Sequence, residues 1–259
     1  MTGPLEAHLR SRRDAGRKLL VPYVTGGLRD DWLDVLRALV AAGADAVEVG
    51  IPFSDPVMDG PTIQEASQRA LDRGTTPATI LSELRHVEVG VPLVAMTYFN
   101  LVFRAGTERF AKEAAAAGVS GVIVPDVPLE ELGEWAPAAD AAGLETVLLA
   151  SPISPDERLA RLCARSRGFV YGVNLMGVTG ERAALGERSA RLARRLKAAT
   201  DLPVVMGFGV SSGDQARAVA EPADGVVVAS AIMRRVLDGA SADEAGEFTA
   251  GLRAALDAG

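Results

Sequence analysis

The stretch Val47–Gln64, VEVGIPFSDPVMDGPTIQ, joins a predicted strand to a proline-rich loop. Residues 46–51 are apolar except for Glu48 and are rich in β-branched side chains, which predicts a buried strand. Three prolines then fix φ between residues 52 and 61, so the loop has few alternative shapes. A stiff loop that carries Asp59 beside a strand-borne acid suits a paired-carboxylate site, because burial separates the pKa values of such a pair.

On both sides of this stretch, short apolar runs alternate with amphipathic helical patterns. Eight runs are predicted as strands: 19–25, 46–51, 92–98, 121–124, 145–150, 168–173, 202–208 and 224–229. A helical pattern follows each strand, which predicts a parallel sheet covered by helices. Eight such units favour a (β/α)8 TIM barrel, formed by a single domain over residues 1–259.

Helical spacing of Leu5, His8 and Leu9 predicts an extra helix before the first strand. After the third strand, the first helix is predicted at 107–117. After the sixth strand, a glycine-punctuated loop from Gly177 to Gly186 is predicted before a basic helix that ends at Ala199.

Composition restricts the partners and the compartment. A net charge of −7 argues against nucleic acid and anionic membranes as partners. The single cysteine, Cys163, excludes a disulfide framework and fits a reducing compartment. No apolar run approaches the ~18 residues of a membrane span, and the charged start shows no signal-peptide core. We therefore expect a soluble cytoplasmic protein.

The scarcity of certain residue types excludes several kinds of chemistry. The three lysines, Lys18, Lys112 and Lys197, precede the first strand or lie within helices, where none is placed to form a Schiff base. The two histidines and the cysteine show no metal-ligand spacing, so no metal site is expected. Carboxylate general acid/base catalysis remains.

The ends of the predicted strands carry the candidate site, because barrels of this type place their sites there. The acids at these ends are Glu48, Asp59 and Asp126, and the three tyrosines of the chain also lie at or near strand ends: Tyr23, Tyr98 and Tyr171. The tyrosines are expected to line a pocket for a flat ligand, with filling of the barrel mouth as the alternative. Glu48 could instead be a structural acid, salt-bridged inside the barrel.

Two segments predict an anion site. Residues 207–213, GFGVSSG, end the seventh strand and begin a helix, and Ala229-Ser230 does the same after the eighth. Helix N-termini there present free N–H groups, and these two loops are the recurrent phosphate site of such barrels. Helix capping without a ligand is the alternative. The loop from Gly177 to Gly186 suits a lid that excludes water, or is an ordinary surface loop.

The motifs together resemble the tryptophan synthase α subunit family along essentially the whole chain. The most specific is residues 48–64, EVGIPFSDPVMDGPTIQ; supporting motifs are VPYVT (21–25), YFNLVF (98–103), PDVP (125–128), GVTG (177–180) and GFG (207–209). The resemblance implies cofactor-free retro-aldol cleavage of indole-3-glycerol phosphate to indole and glyceraldehyde 3-phosphate.

The resemblance also implies residue roles. Glu48 matches the family's catalytic acid and base, and Asp59 matches the aspartate that binds the indole N–H. Tyr98 and Tyr171 match positions around the substrate, and Tyr23 matches a position that is often Phe. The remaining matches concern the phosphate and the lid: Gly180, Phe208, Gly209, Ala229 and Ser230 for phosphate, and Thr179 for the lid.

The chain departs from the family pattern at two places. Ala229 stands where the family usually has glycine, so weaker or slightly shifted phosphate binding is expected. Leu175 and Met176 replace polar residues before Gly177, which changes the hydrogen bonding expected of the lid.

The family works as an αββα heterotetramer in which the β subunit receives indole at a pyridoxal phosphate site. Pro52, Asp55 and Asn100 match positions that face this partner, although loop stiffening and capping also explain the first two. Two other functions stay open: an isomerase or epimerase that acts on a sugar phosphate, and a non-catalytic subunit that only activates a partner.

Overall fold

Eight parallel strands close into a barrel in sequence order, β1 to β8. The computed structural model describes residues 2–173, 182–207 and 209–258. The strands are β1 Leu19–Thr25, β2 Val47–Gly50, β3 Leu93–Met96, β4 Val119–Ile123, β5 Glu145–Ala150, β6 Val170–Val173, β7 Val204–Gly207 and β8 Gly225–Val228. Pairing of β1 with β8, Leu19 opposite Gly225, completes the ring. The predicted (β/α)8 barrel is confirmed.

Helices surround the barrel, and the first of them lies across one end of it. They are α1 Pro4–Asp14, α2 Trp32–Ala41, α3 Pro61–Asp72, α4 Pro77–Leu84, α5 Phe99–Ala105, α6 Thr107–Ala116, α7 Trp135–Ala141, α8 Asp156–Arg165, α9 Arg182–Ala199, α10 Gly213–Ala220, α11 Ser230–Leu237 and α12 Ala242–Asp257, with a 3₁₀ turn at Leu129–Glu131. One apolar cluster fills the space between the strands and these helices. The described residues form one barrel, and the domain boundaries 1–259 stay a prediction.

A second apolar cluster fills the inside of the barrel. It contains inward side chains from the strands: Leu19, Val21, Ala46, Val94, Ile123, Val147, Phe169, Val205 and Val227. Because side chains alternate along a strand, Ala46 places Glu48 on the same inward face two residues later. Strand alternation therefore directs one acid into the barrel interior, above an apolar floor.

The predicted N-terminal helix, α1, closes the bottom of the barrel. Leu5 and Leu9 belong to the interior cluster and are fully buried. The carboxylate of Glu145, at the start of β5, accepts hydrogen bonds from the backbone N–H groups of Leu5 at 2.7 Å and Glu6 at 2.9 Å. Glu145 thus satisfies first-turn donors that would otherwise lack partners, and it fixes the helix to the barrel.

Three local predictions differ from the structure. The prediction missed α5, whose seven residues lie between β3 and α6. The helical pattern after the fourth strand predicts one helix over 130–142, whereas the structure has a 3₁₀ turn followed by the shorter α7. The loop predicted to extend to Gly186 ends earlier, because α9 begins at Arg182. Within the described ranges, none of the helices is long and apolar enough to cross a bilayer.

Candidate active site

Glu48 lies on β2 with its side chain buried inside the barrel. Its partner in the β1–β2 register is Tyr23. Within residues 2–173, 182–207 and 209–258, the Oε2 atom has no hydrogen-bond partner, so the structural salt bridge considered from sequence is not seen there. Burial, and after it the negative charge of Asp59, raises the pKa of Glu48 to about 8. A carboxyl group with this pKa keeps its proton at neutral pH and can donate it.

Asp59 reaches the same cavity from the loop between β2 and α3. Its backbone N–H donates to the carbonyl of Pro56 at 3.0 Å, and its carbonyl accepts from Nε2 of Gln64 at 2.9 Å. Burial raises the pKa of Asp59 to about 6, against a hydrogen bond from Tyr98 that lowers it. At neutral pH this carboxyl is therefore largely ionised, while Glu48 is largely protonated.

Tyr98 holds the Asp59 loop at three points. Its hydroxyl accepts a hydrogen bond from the N–H of Met58 at 3.1 Å and lies near the Asp59 carboxylate, with which it interacts electrostatically. Its ring stacks on Phe53 with 5.1 Å between ring centroids and 24° between planes. The sequence predicted Tyr98 as a site residue but not Phe53. The signal that the sequence offered for Phe53 was its position between Pro52 and Ser54 in the proline-rich loop.

The other two tyrosines occupy space that two glycines leave free. A Cβ atom on Gly50 would overlap the hydroxyl of Tyr23, and one on Gly207 would overlap the ring of Tyr171. Both glycines fall on the inward face of their strands, and this was the sequence signal that could have identified them. The hydroxyl of Tyr23 also accepts a hydrogen bond from Oγ1 of Thr25 at 3.4 Å.

The electrostatics place both tyrosines beside the acids. Burial raises the pKa of Tyr23 far above its ordinary value, and the charges of Asp59 and Glu48 add to the increase. Burial also raises the pKa of Tyr171 well above its ordinary value, and the charges of Glu48 and Asp59 add to this increase. The structure therefore brings the two acids and the three tyrosines close together at the carboxyl end of the barrel strands.

The two predicted phosphate loops differ in whether side chains already bind the backbone N–H groups at their helix N-termini. At α10 the hydroxyl of Ser212 accepts from the N–H of Gln215 at 3.3 Å, and Oε1 of Gln215 accepts from the N–H of Ser211 at 2.8 Å. At α11, which begins at Ser230, the preceding Ala229 supplies no side-chain cap. The N-terminus of α11 is thus the more open of the two for an anion.

Of the remaining predicted binding residues, some lie within the described part of the chain and others outside it. Gly209 is exposed in a left-handed conformation with φ of 61°, which favours glycine. Thr179, Gly180 and Phe208 lie outside the described residues, as do Leu175 and Met176. Among the described residues, no three histidine, cysteine, aspartate or glutamate side chains are grouped so that they could hold a metal ion.

The residues predicted to face a partner lie around the carboxyl ends of β2 and β3. Asp55 and Asn100 are exposed, whereas Pro52 is buried in this single chain. Large apolar side chains are also exposed on the segments that follow these two strands, at Val57, Met58 and Phe103, and after β5, at Ile153. Exposed apolar groups collected at one end of a molecule are typical of a protein-binding surface.

Comparison with known proteins identifies the family. A family model described as "Tryptophan synthase alpha chain" matches residues 9–254. The tryptophan synthase alpha chain of Thermobifida fusca is 44% identical over 265 residues, which cover 97% of this chain and 98% of the relative. That of Rhizorhabdus wittichii is 47% identical over 264 residues, which cover 99% and 97%.

Solved structures agree with the sequence comparison. A structure of Mycobacterium tuberculosis tryptophan synthase superposes with a TM-score of 0.91 and 38% identity over 99% of both chains. A tryptophan synthase alpha chain from Legionella pneumophila superposes with a TM-score of 0.89 and 29% identity, over 99% of this chain and 98% of that one. These matches favour a lyase over the isomerase or epimerase that the phosphate loops left open. The chain belongs to the tryptophan synthase alpha chain family, and it is a carbon–carbon lyase of tryptophan biosynthesis that cleaves indole-3-glycerol phosphate.

Proposed function

We propose that Glu48 carries both proton transfers of this cleavage and that Asp59 binds the indole N–H and stabilises the cationic ring. The observation that carries the proposal is the placement of the buried Glu48 carboxyl, whose Oε2 has no hydrogen-bond partner among the described residues, beside Asp59. Burial raises the pKa of Glu48 to about 8 and that of Asp59 to about 6. Two carboxyl groups with separated pKa values can hold one proton and one negative charge at the same pH. A retro-aldol cleavage of indole-3-glycerol phosphate requires both: a proton donor for the ring and a negative charge that stabilises the protonated ring.

The proton moves through Glu48. Indole is a poor leaving group as a carbanion, so the protonated Glu48 first donates its proton to C3 of the indole ring. The resulting Glu48 carboxylate then accepts the proton of the side-chain hydroxyl group. As the carbonyl of glyceraldehyde 3-phosphate forms, the carbon–carbon bond breaks and its electron pair returns to the ring. Glu48 ends the cycle protonated, so this chain needs no cofactor of its own for the cleavage.

Asp59 supports this transfer from the other side of the ring. Its carboxylate accepts a hydrogen bond from the indole N–H and stabilises the positive charge that protonation of C3 creates. Tyr98, Tyr171 and Tyr23 line the space around the indole ring and exclude water from it. Exclusion of water strengthens the interaction between the carboxylate and the cationic ring.

Backbone amides anchor the phosphate at the opposite side of the barrel mouth. Gly209, Ala229 and Ser230 supply donors from the described loops, and the family resemblance also assigns Gly180 and Phe208 to phosphate binding and Thr179 to the lid. The open N-terminus of α11 supports this assignment, because helix N-termini bind anions through free N–H groups and the helix dipole. Backbone donors bind the anion without a cationic side chain.

The rim around Asp55 and Asn100 binds a β subunit in an αββα heterotetramer, with Pro52 beneath it. Val57 and Phe103 support this proposal, because their side chains are 78% and 70% exposed on the rim that surrounds the site. A partner that covers this rim buries apolar surface and receives indole directly. Pyridoxal phosphate belongs to that partner, and the assembly is cytoplasmic.

Substitution of Glu48 tests the proposed mechanism. Glu48→Gln keeps the shape of the side chain but removes its proton, so we expect indole release to fall at least ~10²-fold, the scale of general acid/base catalysis. The matched control is Glu88→Gln, the same change at an exposed residue before β3, which should leave the rate unchanged. Indole release is measured with and without a β subunit. Wild-type turnover by Glu48→Gln would exclude Glu48 as the acid.

A further inference from the structure

Asp126 is a strand-end acid that the proposed mechanism does not use. It follows β4 and is exposed, so it does not lie in the cavity with Glu48. Both oxygen atoms of its carboxylate accept a hydrogen bond from the backbone N–H of Phe99, at 3.0 and 3.2 Å. Phe99 is the first residue of α5, and the adjacent Tyr98 supplies no side-chain cap to this helix. The acid therefore fills the capping role from a different βα loop.

This contact fixes the residue immediately before Phe99. The short α5 has only seven residues, so a large fraction of its N–H groups lies in the first turn and lacks partners within the helix. A carboxylate at this end also interacts favourably with the helix dipole. The position of Tyr98, which enters the helix in an extended conformation, thus depends on where Asp126 holds the first turn.

Tyr98 in turn holds the loop that carries Asp59. Its contacts with Phe53, Met58 and the Asp59 carboxylate span most of the segment between β2 and α3. The exposure of Val57 and Met58 shows that the loop buries few of its own side chains. Through its ring and its hydroxyl, Tyr98 therefore helps to fix the loop that carries the Asp59 carboxylate.

We propose that Asp126 is a positioning residue for the cleavage reaction. It fixes the start of α5, through it the hydroxyl of Tyr98, and through Tyr98 the Asp59 carboxylate. Three consecutive βα units, those of β2, β3 and β4, thereby cooperate in orienting one catalytic group. This inference rests on the proposed role of Asp59.

Three substitutions of Asp126 test the proposal. Asp126→Ala removes the acceptor, and Asp126→Leu does so while occupying similar space, which provides a second variant if the first does not fold. Asp126→Asn keeps an oxygen that accepts the Phe99 N–H, and Asn is as good a helix cap as Asp. We expect Ala and Leu to lower kcat for indole release about tenfold, since small displacements of catalytic groups cost this much or more. Asn should restore most of the rate.

The pH profile separates positioning from simple stabilisation. The hydrogen bond from Tyr98 lowers the pKa of Asp59. If Asp126→Ala displaces Tyr98, the pKa of Asp59 should rise, and the acidic limb of the kcat/KM profile should move to higher pH. Tyr98→Phe should shift this limb in the same direction. Ser241→Ala, which removes the cap of α12 away from Tyr98 and Asp59, should shift neither limb. The double variant Asp126→Ala/Tyr98→Phe should be no slower than Tyr98→Phe alone.

The outcomes distinguish this proposal from the mechanism itself. Wild-type kcat and an unchanged acidic limb in Asp126→Ala, or losses that add in the double variant, would overturn the positioning role. If Glu48→Gln is inactive as expected in the same preparation, the proposed chemistry stands and only the role of Asp126 falls. If Glu48→Gln and Asp59→Ala both keep full activity, the proposed chemistry itself is wrong.

Discussion

At the residue scale, the chemistry depends on the different environments of two carboxyl groups in one cavity. Glu48 is fully buried on a strand, whereas Asp59 lies on a loop and receives a hydrogen bond from Tyr98. Burial disfavours the charged form of both groups, but the Tyr98 hydroxyl partly offsets this for Asp59. The difference in pKa thus follows from the degree of burial, from the charge of Asp59 beside Glu48, and from the interaction of Asp59 with the Tyr98 hydroxyl.

Gly50 makes room for this arrangement and provides a test at the same scale. An added Cβ would overlap the Tyr23 hydroxyl, so Gly50→Ala forces that ring against Glu48 or away from it. We expect a loss of about 1–3 kcal/mol in the free energy of unfolding, typical of overpacked cores, together with reduced indole release.

The matched control for Gly50→Ala is Gly251→Ala. Gly251 lies within α12, and its added Cβ would meet nothing within 4 Å. Replacing glycine by alanine inside a helix should stabilise the chain by about 0.5–1 kcal/mol. Urea unfolding of both variants measures the difference. Equal stability and activity of Gly50→Ala and the wild type would contradict the packing described for Tyr23.

The two acids and the tyrosines beside them could be predicted from sequence, whereas the contacts that position them could not. Glu48 interrupts an apolar strand and Asp59 ends a proline-rich loop, and both signals are local. The roles of Gly50, Gly207 and Phe53 depend on side chains that approach from other strands. Such contacts become visible only when the register of the barrel is known.

At the element scale, α5 shows where sequence reasoning fails. Its residues, FNLVFRA, include aromatic and β-branched side chains that also suit strands, and seven residues are too few to display helical periodicity. Its carboxylate cap comes from Asp126, 27 positions later in the chain. Tertiary contacts, rather than local propensity, therefore stabilise this helix.

The attachment of α1 by Glu145 gives a prediction at this scale. Glu145→Ala removes the acceptor of two buried N–H groups, so we expect a loss of about 1.5–3 kcal/mol, the range for hydrogen bonds to charged groups. Hydrogen exchange of the α1 amides should also become faster. Glu113→Ala, at a carboxylate on α6 whose side chain is 42% exposed, is the control and should change stability little. Unchanged exchange in α1 would show that apolar packing alone holds the helix.

At the scale of the whole molecule, eight repeated units made barrel closure predictable. The sequence also indicated an extra N-terminal helix, but not that Leu5 and Leu9 would enter the barrel and close its lower end. That closure leaves the carboxyl end of the barrel as the open side. The acids, the tyrosines and the exposed rim around Phe103 all lie at this end, so catalysis and partner binding share one face.

The central claim is that the folded barrel keeps a proton on Glu48 at neutral pH. The most direct measurement is an NMR titration of the Glu48 side-chain carboxyl carbon, assigned by its disappearance in Glu48→Gln. Because burial and the charge of Asp59 raise the pKa of Glu48, this carbon should titrate near pH 8. In Asp59→Asn the removal of the nearby charge should lower the midpoint. A midpoint between pH 4 and 5, the ordinary range for a glutamate, would contradict the claim.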